Sequence, residues 1–150
     1  MRPLVACSKV LGDVAVPQFY PSMWVLVTEI LDTFGQLVFD RIRNRSIEVH
    51  QQEQAEQGAG SGMGAINDLK GDFTPADIHI KAKETCRNWL YKIACIRELL
   101  PRLYIEIALV RCYQFLSEKE EYVQILQRLA NVIRGIGDPL MAVYVKKILV

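Results

Sequence analysis

Residues 51–64 constrain the fold more than any other stretch of this chain. Gln51-Gln52-Glu53-Gln54-Ala55-Glu56-Gln57 is polar and low in complexity, and Gly58-Ala59-Gly60-Ser61-Gly62-Met63-Gly64 carries almost nothing that can pack. Such a composition buries too little apolar surface to offset the entropy lost on ordering. The stretch 46–76 therefore reads as a disordered linker, longer than the connections usual in a compact domain. The fold has to be assembled from two apolar blocks, 1–45 and 77–150, that meet across it. With 150 residues, 51% of them hydrophobic, the chain is one domain by size and large enough for a real core.

Charge divides along similar boundaries. Residues 47–77 hold six acids against Lys70, a charge of −5. Residues 78–116 hold seven Lys or Arg against three acids, a charge of +4, and each flank is +1. The total of +1 is thus a cancellation, and no global field draws nucleic acid or an acidic membrane. The cations of 78–116 are diluted by acids, do not share one helical face and accompany no reader motif. No nucleic-acid partner is expected.

Apolar spacing in both blocks is helical. Trp24, Val27, Ile30, Leu31, Phe34, Leu37, Val38 and Ile42 recur at three- and four-residue steps, one wide stripe on a helix opened by Pro21 or Ser22. Arg41, Arg43 and Arg45 suit its C-terminal dipole, and the helix can run on into the Gln/Glu tract. Phe73-Thr74-Pro75-Ala76-Asp77 ends the linker and starts a helix whose apolar face is Ile78, Ala82, Thr85, Cys86, Trp89, Ile93, Ile96 and Leu100. Pro101 then removes a helical hydrogen bond and disfavours helix at Leu100. Either one long helix kinks there or, the favoured reading, two helices meet at a corner with Pro101 at the first helical position.

Beyond the corner, Leu103, Tyr104, Ile107, Leu109, Val110 and Phe115 give a nearly all-round apolar helix, the kind buried between neighbours. Ser117 and Glu120 read as a capping box opening a helix with Tyr122, Ile125, Leu126, Leu129, Val132 and Ile133 inward. Gly135 and Gly137 end it, and Asp138-Pro139 caps and starts the last one. The fold class is all-α: antiparallel helix hairpins of a HEAT-like α-solenoid, interrupted by the linker, with a closed bundle as the other arrangement the pattern allows. Apolar helices at both ends without a polar cap suggest a solenoid piece truncated at the C-terminus.

Catalytic signatures are absent from the sequence: there is no G-x-S-x-G, H-E-x-x-H or P-loop. Cys7, Cys86, Cys95 and Cys112 form no C-x-x-C pair and His50 and His79 lie near none, so no metal, cofactor or enzymatic activity is expected. Without a secretory leader the cysteines suit a reduced, intracellular setting, and no run of about 20 uncharged apolar residues suggests a transmembrane segment. Glu98 and Glu106 flank Arg102 at four-residue spacing, as ion pairs do. Arg102 and Tyr104 are residue types that anchor interfaces, although on physical grounds alone the favoured reading is core packing for Leu103 and Tyr104 and solvation for Arg102.

The run Pro101-Arg102-Leu103-Tyr104-Ile105 resembles the Pro-Arg-Leu-Tyr signature of the large α-solenoid subunit of retromer. Together with Asp32-Thr33-Phe34-Gly35-Gln36-Leu37-Val38, Ala82-Lys83-Glu84-Thr85-Cys86-Arg87-Asn88-Trp89, Ile96-Arg97-Glu98-Leu99-Leu100-Pro101-Arg102 and Arg134-Gly135-Ile136-Gly137-Asp138-Pro139-Leu140, it resembles the paralogous large-subunit family of Retriever over about residues 13–144. The resemblance implies a non-enzymatic helical scaffold, cytoplasmic and peripheral on endosomes, that supports recycling of membrane-protein cargo. It implies an arrestin-like subunit bound at Pro101, Arg102, Leu103, Tyr104 and Ile105, with Arg102 reaching partner carbonyls or a carboxylate and Leu103 and Tyr104 shaping the helix from inside. A small phosphoesterase-fold subunit would bind only through missing C-terminal repeats, and a sorting-nexin cargo adaptor and a coiled-coil assembly would be reached indirectly. The tail Val145-Lys146-Lys147-Ile148-Leu149-Val150 departs from the family pattern. Without the resemblance, a free-standing helical module that self-associates is the other reading.

Overall fold

A computed structural model describes residues 1–12, 17–56 and 73–149. The expected all-α array of helix hairpins is what the chain forms. Six α-helices follow one another among the described residues: α1 (Arg2–Val10), α2 (Tyr20–Glu56), α3 (Ile80–Ala94), α4 (Leu99–Ala108), α5 (Lys119–Ile136) and α6 (Pro139–Leu149), with short 3-10 segments at Pro75–Asp77 and Val110–Phe115. The expectation of disorder for residues 57–72 lies outside the described residues. At its two ends the stretch 46–76 is helical or anchored. α2 continues to Glu56, burying Ser46 and Val49, and Phe73 stacks on Phe115 with ring centroids 5.1 Å apart.

α4 is the centre of the molecule, with α1, α2, α3 and α6 packed around it. Its Leu103, Tyr104, Ile105 and Ile107 are almost fully buried, each worth roughly 1.5–3 kcal/mol in water-excluded apolar surface. α2 supplies Val27, Leu31, Val38, Phe39 and Ile42 to the same core, and α3 supplies Ala82, Cys86 and Ile93. The approach of α2 to α4 is close enough to need a glycine. A methyl group on Gly35 would collide with the carbonyl oxygen of Ala108. One turn earlier, Asp32 fastens α6, accepting from Tyr144 Oη at 3.0 Å and pairing with Lys147 Nζ at 2.5 Å. At the far end of α2, Ser46 Oγ accepts from the His79 amide at 2.9 Å and Glu53 meets His79 Nε2 at 2.9 Å. His79 Nδ1 also accepts from the Lys81 amide, capping α3.

Several local expectations need correcting. The apolar stripe of α2 is narrower and rotated: Ile30 and Leu37 are exposed, Leu37 by 65%, while Phe39 is buried against Phe115 at 4.7 Å. The seam facing α3 and α4 runs through positions 31, 35, 38, 39, 42, 46 and 49, and 30 and 37 sit one residue off it. A corner does separate α3 from α4, but Glu98 is the N-cap, which puts Pro101 at the third helical position rather than the first. The first main-chain bond into the helix comes from the Arg102 amide to the Glu98 carbonyl at 3.1 Å, so a proline just before it sacrifices nothing. The α-helix stops at Ala108, and 110–115 tightens into 3-10 form. No side-chain cap is made at the start of α5, where Glu118 is the N-cap, so the Ser117–Glu120 box does not form. Gly135 lies inside α5, whereas Gly137 ends it with φ of +71°, a conformation that favours glycine. Asp138 caps α6 as expected, accepting from the Leu140 and Met141 amides.

α2 is the one helix among the described residues long and apolar enough to cross a membrane. It carries Glu29 and Asp32 within that stretch, and its inward residues build the shared core.

Candidate functional site

The α3–α4 corner sorts the run 101–105 into two roles. Pro101, Leu103, Tyr104 and Ile105 are buried, and burial pushes the Tyr104 phenol up to about 12. These four hold α4 in place and have no surface to offer. Arg102 alone points outward, its side chain 38% exposed. Its expected ion pair with Glu98 is not made: Glu98 pairs instead with Lys9 of α1 at 2.5 Å, a hydrogen bond that holds its carboxyl below the usual range.

Below Arg102 lies a group that helical spacing alone does not assemble. Glu106, one turn further along α4, is buried, with a side chain only 6% exposed. It accepts from Arg128 of α5 at 2.6 Å and from Tyr113 Oη at 3.1 Å, and Arg102 Nε lies 3.9 Å from it. Burying a carboxylate is costly unless cations and donors compensate it. Here the hydrogen bond to Glu106 raises the Arg128 guanidinium, and burial, then Glu106 itself, raises the Tyr113 phenol. Arg87 of α3 joins them across a cavity of about 450 Å³, whose apolar side is formed by Leu90, Tyr91 and Ala94. Three arginines from three helices thus line one cavity, and two of them, Arg102 and Arg128, reach its single buried glutamate.

Among the described residues no cluster of three or more His, Cys, Asp or Glu is placed to hold a metal. The buried thiols Cys86 and Cys112 are pushed up to about 12 by desolvation, and Cys86 donates to the Cys112 carbonyl at 3.2 Å. What the corner offers is fixed cations beside an apolar wall, an arrangement suited to recognition.

The sequence words quoted above also acquire physical roles. Asp32 and Gly35 place α6 and α4 against α2, Trp89 meets Phe34 edge to face at 5.7 Å, and Gly137 and Asp138 turn α5 into α6. A family model described as VPS35L matches residues 1–150. A Danio rerio protein named VPS35 endosomal protein-sorting factor-like is 47% identical over 146 residues, covering 97% of this chain and 13% of that protein. The Homo sapiens protein of the same name is 43% identical over 146 residues, covering 97% and 13%. The similarly named Drosophila melanogaster protein is 44% identical over 151 residues, covering 100% and 14%. The chain therefore spans about one-seventh of the length of these relatives, and the large-subunit resemblance read from those sequence words is borne out.

Proposed function

This chain belongs to the VPS35L family, and on that premise we propose that it is a segment of a non-enzymatic scaffold in a Retriever-like recycling complex. It works on the cytoplasmic side of endosomes as a peripheral component, in the retrieval of membrane-protein cargo to the cell surface. The names of the relatives support endosomal sorting. Its partner here is the arrestin-like subunit, docked at the α3–α4 corner. In the same proposal the small phosphoesterase-fold subunit makes no contact with this segment, and the sorting-nexin adaptor and coiled-coil assembly are met through the assembled complex.

One observation carries the assignment of the partner site. Within 101–105 four residues are committed to the core and Arg102 is delivered to the surface at a helix start. A core-braced arginine loses little further freedom on binding, which is what an interface anchor requires. Co-purification of the chain with the arrestin-like subunit tests the reading. A stoichiometric complex is expected, and its absence would overturn the assignment. Exposed Leu26, Ile30 and Leu37 on α2 favour a second reading, self-association through that helix. Sedimentation of the chain alone separates the two, since a stable partner-free oligomer supports the second.

A further inference from the structure

The cavity beneath Arg102 has a charge imbalance that the fold leaves uncorrected. Arg87, Arg102 and Arg128 line it together with a single acid, Glu106. Glu106 is committed to Arg128 at 2.6 Å and to Tyr113 at 3.1 Å, and lies at 3.9 Å from Arg102. Arg87 has no acid within ion-pair distance among the described residues, and the long contact of Arg102 is at the edge of that distance. Two guanidinium groups, on α3 and α4, therefore face a cavity of about 450 Å³ with their donor forks unfilled. Exposed arginines of this kind are ordinarily satisfied by water. What differs here is that they come from separate helices braced by a common core and are bordered by Leu90, Tyr91 and Ala94, with Tyr91 68% exposed.

We propose that this cavity receives one carboxylate from the docked partner, an Asp or Glu side chain or a chain terminus, held between Arg87 and Arg102. The adjoining apolar wall takes the residue beside it. A planar carboxylate matches the guanidinium fork. Its single charge, against the two unfilled arginines, leaves room for Glu106 on the floor. A phosphate dianion fits less well, because the buried Glu106 repels the second charge at short range. The carboxylate rests on the reading that the arrestin-like subunit docks at this corner; what is added is the chemistry of the contact and the involvement of α3. Arg87 is a binding residue in this account, whereas Glu106 and Arg128 position Arg102.

The test measures the affinity of the full 150-residue chain for the arrestin-like subunit with Arg87→Glu, Arg87→Lys, Arg102→Glu and the unaltered chain. Thermal unfolding of each variant confirms folding. Arg87→Glu is expected to weaken binding by about ten-fold or more, as reversal of a desolvated charge contact does. Arg87→Lys retains the charge without the fork and loses less. Raising salt from about 50 to about 300 mM should weaken the unaltered chain more than Arg87→Glu, because a screened attraction is already gone in the variant. If Arg102→Glu abolishes binding while Arg87→Glu binds as the unaltered chain does, the carboxylate proposal is wrong and the docking site stands. If neither substitution matters, the docking site itself is wrong. A partner whose acidic residues can all be changed to their amides without weakening the complex would also overturn the proposal.

Discussion

α2 and α4 are both rich in apolar residues, yet they use them in opposite ways. α4 has ten residues and buries six of them, including Glu106. α2 has 37 residues, buries one seam and leaves Leu26 58% and Leu37 65% exposed on its other side. The difference is one of position. α4 is enclosed on several sides by α1, α2, α3 and α6, so most of its residues are held by packing, and Leu99 and Arg102 at its start reach the surface. α2 lies at the outside, so part of its apolar surface has no neighbour among the described residues. Stability therefore resides in α4, and surface chemistry is concentrated where α4 emerges at the corner.

That contrast can be broken most forcefully in the core. Ile105→Ala should cost about 2–5 kcal/mol, read as a large fall in the denaturant midpoint, whereas Leu37→Ala on the outer face of α2 should change stability by no more than about 0.5 kcal/mol. Equal losses would mean that α2 is covered in the folded chain. Gly35→Ala comes next. The added methyl meets main chain rather than a movable side chain, so about 1–3 kcal/mol of overpacking strain is expected, measured by thermal unfolding. An unchanged midpoint would show that α2 and α4 are further apart than the structure places them.

Glu106→Gln is smaller, about 1–2 kcal/mol, since Arg128 is half exposed and can turn to water. It leaves the arginines above it with one negative charge fewer. The weakest perturbation is chemical. Burial raises Cys86 and Cys112 to about 12, which lowers their thiolate fraction at about pH 8, and the thiolate is the reactive form. Exposed Cys95 should be labelled first by a thiol reagent, with Cys86 and Cys112 reacting only on unfolding. Early labelling of either would locate an opening in the core around α4.

Much of this contrast is legible in the spacing of residues. The burial of Leu103, Tyr104, Ile107, Leu109, Val110 and Phe115 follows from their dense apolar run, and the start of α6 from Asp138-Pro139, because caps are local chemistry. The outer face of α2 was harder to read. Ile30, Leu37 and Phe39 are equally apolar, and which of them is buried depends on where α3 and α4 cross. Ser117 illustrates the same limit in a cap, since a serine at the right spacing is passed over when the chain enters α5 one residue later. The arginine group was least accessible, because Arg87, Arg102 and Arg128 are brought together only by tertiary packing. One signal for it does exist in the sequence: Glu106 is the only acid within the apolar stretch 101–115, and a buried acid implies a cation facing it.

The most direct test of the corner as the docking site is a titration calorimetry comparison of Arg102→Glu and Leu37→Glu against the arrestin-like subunit. Both place a negative charge on an exposed position, one at the corner and one on the outer face of α2. The account predicts that Arg102→Glu abolishes the binding heat and Leu37→Glu leaves it unchanged. Binding that survives Arg102→Glu and disappears with Leu37→Glu would contradict it.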